Sequence, residues 1–238
     1  MIISNDSPLR KLPPQLNRKQ TLYFDAIRFS VEIADLSYTR LKETLTFIST
    51  HRNRESKEKL PIIPAISDAW SVVDNVSRLR GLITQTPGLK QKSEYVQLFL
   101  RKTSEIESFR NTIQHLNNDL NLFVEENLPV LGVLNWFTVL DKEKQLGCSC
   151  SIIAGTIFDH YVRMENPIGR FVKLPTGMVT LNVGEKSLSL CDTMEAVEKF
   201  IRNIEKKLWD RFKDLPQAGG DLVVCLDMDF SNWTIDEA

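Results

Sequence analysis

The sequence predicts an α+β protein: a helical bundle followed by a small antiparallel sheet carrying one helix. Three observations carry that expectation. Through roughly the first 130 residues, apolar side chains recur at steps of three and four, the helical period. Beyond residue 132 the pattern turns into short alternating runs separated by Gly- and Pro-containing turns. A final stretch near 193–213 returns to the helical period. The expected organisation is an extended arm over 1–19, a helical bundle over 20–131, and a sheet with one helix over 132–238.

The arm contains Pro8, Pro13 and Pro14 among many polar residues. A first long helix is expected from Gln20 to Ser49, with Leu22, Phe24, Ile27, Val31, Ile33, Ala34, Leu41, Leu45 and Ile48 as its apolar positions. The segment 51–59 has no apolar residue and reads as an exposed loop. A second helix runs from about Pro61 to Gln85 on Ile62, Ile66, Ala69, Val73, Val76 and Leu79, and Pro87-Gly88 follows it. A third is expected from Ser93 to Glu126. Tyr95, Phe99, Ile106, Phe109, Ile113, Leu116, Leu120 and Phe123 alternate there by four and three, interrupted at Lys102. Val130–Leu140 and Leu146–Ile157 are apolar or alternating. Arg170–Leu174, Met178–Val183 and Ser187–Leu190 are short alternating runs joined by turn residues. Asp192 is a candidate cap for a helix over Thr193–Lys213, and Leu222–Met228 reads as a last strand.

The composition fits a globular chain with a real core: 238 residues, 42% hydrophobic and 26% charged. The net charge of −1 exerts no global pull on nucleic acid, although residues 1–131 carry 18 Lys and Arg against 15 Asp and Glu. No uncharged apolar run is long enough to span a membrane, and the N-terminus lacks the pattern of a secretion signal. A cytoplasmic location without membrane contact is expected. The four Cys, Cys148, Cys150, Cys191 and Cys225, are expected to be reduced and mostly buried. Cys148-Ser149-Cys150 is not a zinc-knuckle spacing, and neighbours at i and i+2 in a strand are poorly placed for a disulfide.

The chemistry-bearing stretch is Arg110-Asn111-Thr112-Ile113-Gln114-His115. From Ser108 to Leu122 only Arg110 and Asp119 are charged, while Asn stands at 111, 117, 118 and 121. Solvated helix faces are usually built from Glu, Lys and Arg, which are better helix formers than Asn. The face therefore reads as a polar, partly buried surface around one Arg and one His. On a helical wheel Arg110 lies about 140° round from His115 and about 7.5 Å along the axis. A partner helix, most simply from a second copy, would bring the two residue types into one groove. Histidine exchanges protons near neutral pH, and arginine grips phosphate oxygens in a planar fork. RNA supplies its own nucleophile, the 2′-OH, so no metal or cofactor is required.

Arg-Asn-x3-His late in a long helix of a small bundle resembles the signature of the HEPN superfamily (higher eukaryotes and prokaryotes nucleotide-binding). The resemblance covers residues 20–127, with Arg110, Asn111 and His115 in the motif positions. It implies a bundle that dimerises across the motif helix. Many members are metal-independent endoribonucleases that leave a 2′,3′-cyclic phosphate, frequently in toxin–antitoxin or antiviral systems. The implied partners are a second copy, an RNA substrate and an antitoxin protein. Other members have lost catalysis and bind nucleotides or RNA. In the competing expectation the chain is a non-catalytic RNA- or nucleotide-binding protein or an interaction scaffold, with the polar face as its dimer interface.

The remaining candidates are weaker. Arg78 and Arg80, on the preceding helix, are candidates to add positive charge to an RNA groove; Asp74 and Arg78 also have the spacing of a surface ion pair. His51 is expected in solvent. Asp159-His160 and Asp227-Met-Asp229 lack the companions that a metal site needs. No Walker loop, dinucleotide fingerprint or Gly-x-Ser-x-Gly elbow is present.

Overall fold

Asn17 opens the first helix. Its side chain accepts from the Gln20 backbone N–H at 2.9 Å, and the Gln20 side chain accepts from the Asn17 N–H at 3.3 Å. This reciprocal pair is a capping box. It starts α1 (Arg18–His51), which ends where the charged segment begins. The structure, a computed structural model, describes residues 1–51, 60–114, 116–155, 166–170, 172–215 and 220–227. The expected loop over 52–59 therefore lies outside the described residues.

Helix α2 (Ile62–Gln85) packs along α1. Tyr23 meets Gln85, Ser37 meets Ser71, and Arg40 meets Asp68, so the two helices run antiparallel. Ile27, Val31, Ala34, Leu41 and Leu45 close against Ala69, Val72, Val73, Val76 and Leu79, all essentially inaccessible. Leu22 and Ile33, expected on this inner face, are exposed instead. Helix α1 is apolar on more than one side, and the contact with α2 selects only one stripe. Ile3, Leu9 and Leu12 carry the N-terminal arm into the same core.

The expected third helix is broken after Lys102. Its described parts are α3 (Glu94–Lys102), α4 (Glu105–Gln114) and α5 (Leu116–Glu125), the last two flanking residue 115, which lies outside the described residues. The break between α3 and α4 has a clear cause. Thr103 is buried, its hydroxyl donates back to the Phe99 carbonyl, and Arg80 of α2 reaches in to bind the Leu100 carbonyl and the same hydroxyl. Phe99, Ile106, Phe109 and Phe123 are buried as expected. Leu120 is exposed, and the side chains of Ile113 and Leu116 lie outside the described set.

Four antiparallel strands follow in the spatial order β2-β1-β3-β4. They are β1 (Val133–Asp141), β2 (Leu146–Ile153), β3 (Thr176–Val183) and β4 (Lys186–Ser189). A two-residue turn, Gly184-Glu185, joins β3 to β4, and Gly184 takes the positive φ of 58° that such a turn requires. The expected strand over 170–174 does not form: its described residues are irregular. The end of α1 is tied to the sheet by buried hydroxyls. Trp136 Nε1 donates to Ser49 Oγ at 2.8 Å, Ser49 meets Thr138 at 2.9 Å, and Thr138 meets Thr176 at 2.8 Å.

Helix α6 (Leu190–Phe212) packs Val197, Phe200, Ile201 and Ile204 onto the core. Its cap is Ser189, whose hydroxyl accepts from the Asp192 N–H, so Asp192 sits in the first turn rather than at the cap. The expected last strand does not form over its described residues: 222–227 is irregular, with Leu222, Val223, Val224 and Leu226 almost fully exposed. One hydrophobic cluster joins arm, helices and sheet, and the chain is an α+β protein. No described helix is long and apolar enough to cross a membrane.

Candidate functional site

Helix α4 buries Ile106 and Phe109, and the Phe109 ring lies 6.5 Å from that of Trp70 on α2. Trp70 is in turn fixed by donating to the Leu131 carbonyl at 3.2 Å. That packing sets Arg110 on the flank of α4, facing α2 across the surface. Its Nε stands 3.9 Å from Asp74 Oδ1, with the two side chains 37% and 52% exposed. Asn111, next in sequence, is exposed. Thr112 turns its hydroxyl back to the Ser108 carbonyl at 2.9 Å. His115 lies outside the described residues.

The other sequence candidates divide. Arg78 is exposed on α2, one turn from Asp74, and so shares the surface that holds Arg110. It makes no ion pair with Asp74, whose partner is Arg110. Arg80 is buried. Its Nε and Nη2 bind Glu107 Oε1 at 3.1 and 3.0 Å, and its Nη1 binds the Leu100 carbonyl at 2.5 Å and Thr103 at 2.7 Å. The guanidinium thus stitches α2 to the α3–α4 junction. His51, expected in solvent, stacks on Phe47 with ring centroids 4.0 Å apart. Asp227 is exposed, while Asp159, His160 and Asp229 lie outside the described residues.

The structure adds a cation that sequence reasoning did not find. Lys186 Nζ donates to Thr112 Oγ1 at 3.4 Å, so the tip of the β3–β4 hairpin reaches the motif helix. Nothing local to Gly184-Glu185-Lys186 signals that contact, which joins positions 74 apart in the chain. Arg78 and Arg110 therefore share a modest basic surface, partly offset by Asp74, and Lys186 adds a cation on the Thr112 side of α4. At the other end of α4, Glu105 lines a cleft of about 380 Å³ between α3, β4 and α6. Its floor holds Tyr95 and Phe200, and its rim holds Lys102, Asp192 and Lys199. That mixed rim does not itself draw a polyanion.

Comparison with protein-family models, with curated proteins and with solved structures finds no match to this chain.

Proposed function

We propose that this chain is a metal-independent endoribonuclease of HEPN type that works as a homodimer. The observation that carries the reading is the state of Arg110. A pair at 3.9 Å between half-exposed side chains contributes on the order of 0–1 kcal/mol. An RNA phosphate, which accepts a guanidinium in a bidentate fork, displaces Asp74 at little cost. Arg80 is the opposite case, with four hydrogen bonds already made. Asn111 is exposed beside Arg110, and Arg78 adds charge that steers an anion to this surface.

In this mechanism His115 takes the proton of the RNA 2′-OH. The freed oxygen attacks the adjacent phosphorus and the P–O5′ bond breaks, leaving a 2′,3′-cyclic phosphate. The departing 5′ oxygen takes a proton from solvent, and the second copy of the chain brings its Arg110 to the groove. Arg110 stabilises the charge that builds on the phosphorane, and Asn111 orients either the imidazole or the phosphate.

Cleavage of total cellular RNA in EDTA, with product ends analysed, tests the reading. The wild type is expected to leave cyclic phosphate ends. His115→Ala is expected to lose activity by about 10²-fold or more with its circular dichroism unchanged. Equal cleavage by both proteins removes His115 from the mechanism.

A second reading has its own support. Leu120 and Val124 on α5 are 45% and 62% exposed, just past the motif. Apolar side chains there suit a non-catalytic scaffold that pairs through this helix. Absence of cleavage by either folded protein, with a stable dimer, favours it.

A further inference from the structure

We propose that residues 228–238 pack back onto an exposed apolar stripe of α1, with the Asp221–Arg28 pair as the clasp that brings them there. Along the middle of α1, from Gln20 to Tyr38, the exposed residues are Leu22, Phe29, Ile33 and Leu36, at 60%, 47%, 42% and 57%. They fall within about 60° of one another around the helix and span about 21 Å of its length. A helix face that meets only water is normally built from charged residues. A contiguous apolar patch rimmed by polar residues marks a contact surface.

The clasp delivers the chain to this stripe. The Arg28 side chain is 4% exposed, and its guanidinium donates to both carboxylate oxygens of Asp221, through Nη1 at 2.9 Å and through Nη2. The same guanidinium lies over the Phe29 ring, 4.1 Å from its centroid. Both ends of the stripe stand within about 12 Å of Arg28 along the helix. The six residues 222–227 span up to about 20 Å, so they serve as a lead that reaches either end. They stay off the protein surface themselves. Cys225 is exposed with them, and Cys148, Cys150 and Cys191 are only partly buried, contrary to the expectation from sequence.

The occupant is argued from charge and area. Residues 228–238 carry Met228, Phe230, Trp233 and Ile235 together with Asp229, Asp236 and Glu237, and no Lys or Arg. The stripe is basic at its ends, with Arg18 and Lys19 before Leu22 and Arg40 after Leu36, all exposed. Of the carboxylates beside it, Glu32 is paired with Arg10 and Arg28, and Asp35 with the Met1 amino group. Four half-exposed side chains offer a few hundred Å², less than the roughly 800 Å² per partner of a stable interface between separate molecules. A tethered segment needs less, because the clasp holds it at about millimolar effective concentration.

Acrylamide quenching of tryptophan fluorescence tests this on the full chain. The difference between the wild type and Trp233→Phe isolates Trp233, which is expected to be quenched several-fold less than in the urea-unfolded chain. Ile33→Ser with Leu36→Ser, at two exposed positions, is expected to abolish that shielding with circular dichroism unchanged. Arg18→Glu with Lys19→Glu is expected to weaken it at low salt. Equal access to Trp233 in the folded and urea-unfolded wild type overturns the proposal without requiring any stripe variant to fold. Shielding that survives the serine pair also overturns it, because the segment is then covered elsewhere. Shielding lost on dilution assigns the stripe to a second copy's segment and overturns the clasp.

Discussion

Arg80 and Arg110 lie one helix contact apart and have opposite energetics. Arg80 is buried, and each of its hydrogen bonds from a charged donor is worth about 1.5–3 kcal/mol before correction for exposure of the acceptor. Its partner Glu107 is largely exposed, which discounts that bond, but the Leu100 carbonyl and the buried Thr103 hydroxyl are not so easily rehydrated. Arg80→Ala is therefore expected to cost about 2–3 kcal/mol, a fall in Tm of roughly 4–12 °C for a chain of this size. Arg110→Ala is expected to change stability by less than about 1 kcal/mol while reducing RNA cleavage about 10²-fold. Thermal unfolding and cleavage measured on both variants check the pair, and a destabilised Arg110→Ala with full activity would reverse the assignment. The sequence made these arginines look alike because only tertiary packing decides which one is consumed. Asp221 carries a residue-scale dependence on pH. The Arg28 guanidinium, which hydrogen-bonds it, holds the Asp221 carboxyl below its ordinary range, while burial pushes Asp25 up. A lowered folded pKa gives stability that is present above about pH 4 and is lost as pH falls through the folded value. Asp25 has the opposite sign and relaxes on protonation. Asp221→Asn is expected to flatten the decline of Tm below pH 4; an unaltered decline would mean that the pair anchors nothing.

At the scale of elements, periodicity was legible and boundaries were not. The break at Thr103-Ser104 kept the apolar residues in phase, since α3 and α4 bury the same side, so one long helix and two short ones write nearly the same pattern. What separates them is the Arg80 side chain, which comes from another helix. The failure at 222–228 is of a different kind. The alternation of a strand is present there, but the described segment has no strand beside it and stays exposed. A strand requires a partner that local sequence does not name. The cap of α6 shows the limit at a single position: Ser189 and Asp192 both suit a helix start, and the last bond of β4 decides for Ser189. Ser189→Ala is expected to cost about 1 kcal/mol, read from urea unfolding, by freeing the Asp192 N–H. Asp192→Ala keeps that cap, and a larger loss from it than from Ser189→Ala would mean that the first-turn carboxylate outweighs the hydroxyl.

For the whole molecule, the fold class followed from the change of period near residue 132, while the site did not follow from the fold. The motif positions were visible in sequence; Lys186, brought from the hairpin, was not, because that contact depends on how the sheet docks on α4. What remains is how many chains make a site. Arg110 lies on the flank of its helix, and the wheel separates it from His115 by about 140°. On the proposed reading one chain alone does not aim both at one phosphate, and a second copy supplies the missing group. Among the described residues the exposed Leu120 and Val124 are the apolar surface nearest the motif in sequence, and the proposed pairing through them sets two motif helices side by side. Leu120→Glu with Val124→Glu is expected to turn a dimer into a monomer in light scattering and to abolish cleavage with the fold retained, because two carboxylates on each side repel across the contact. Mixing that variant's chains with His115→Ala chains gives the sharper test. Each lacks a different requirement, and a mixed dimer presents only one acidic face. Partial recovery of cleavage on mixing places the catalytic groups on two chains, whereas full cleavage by the acidic monomer would place them on one.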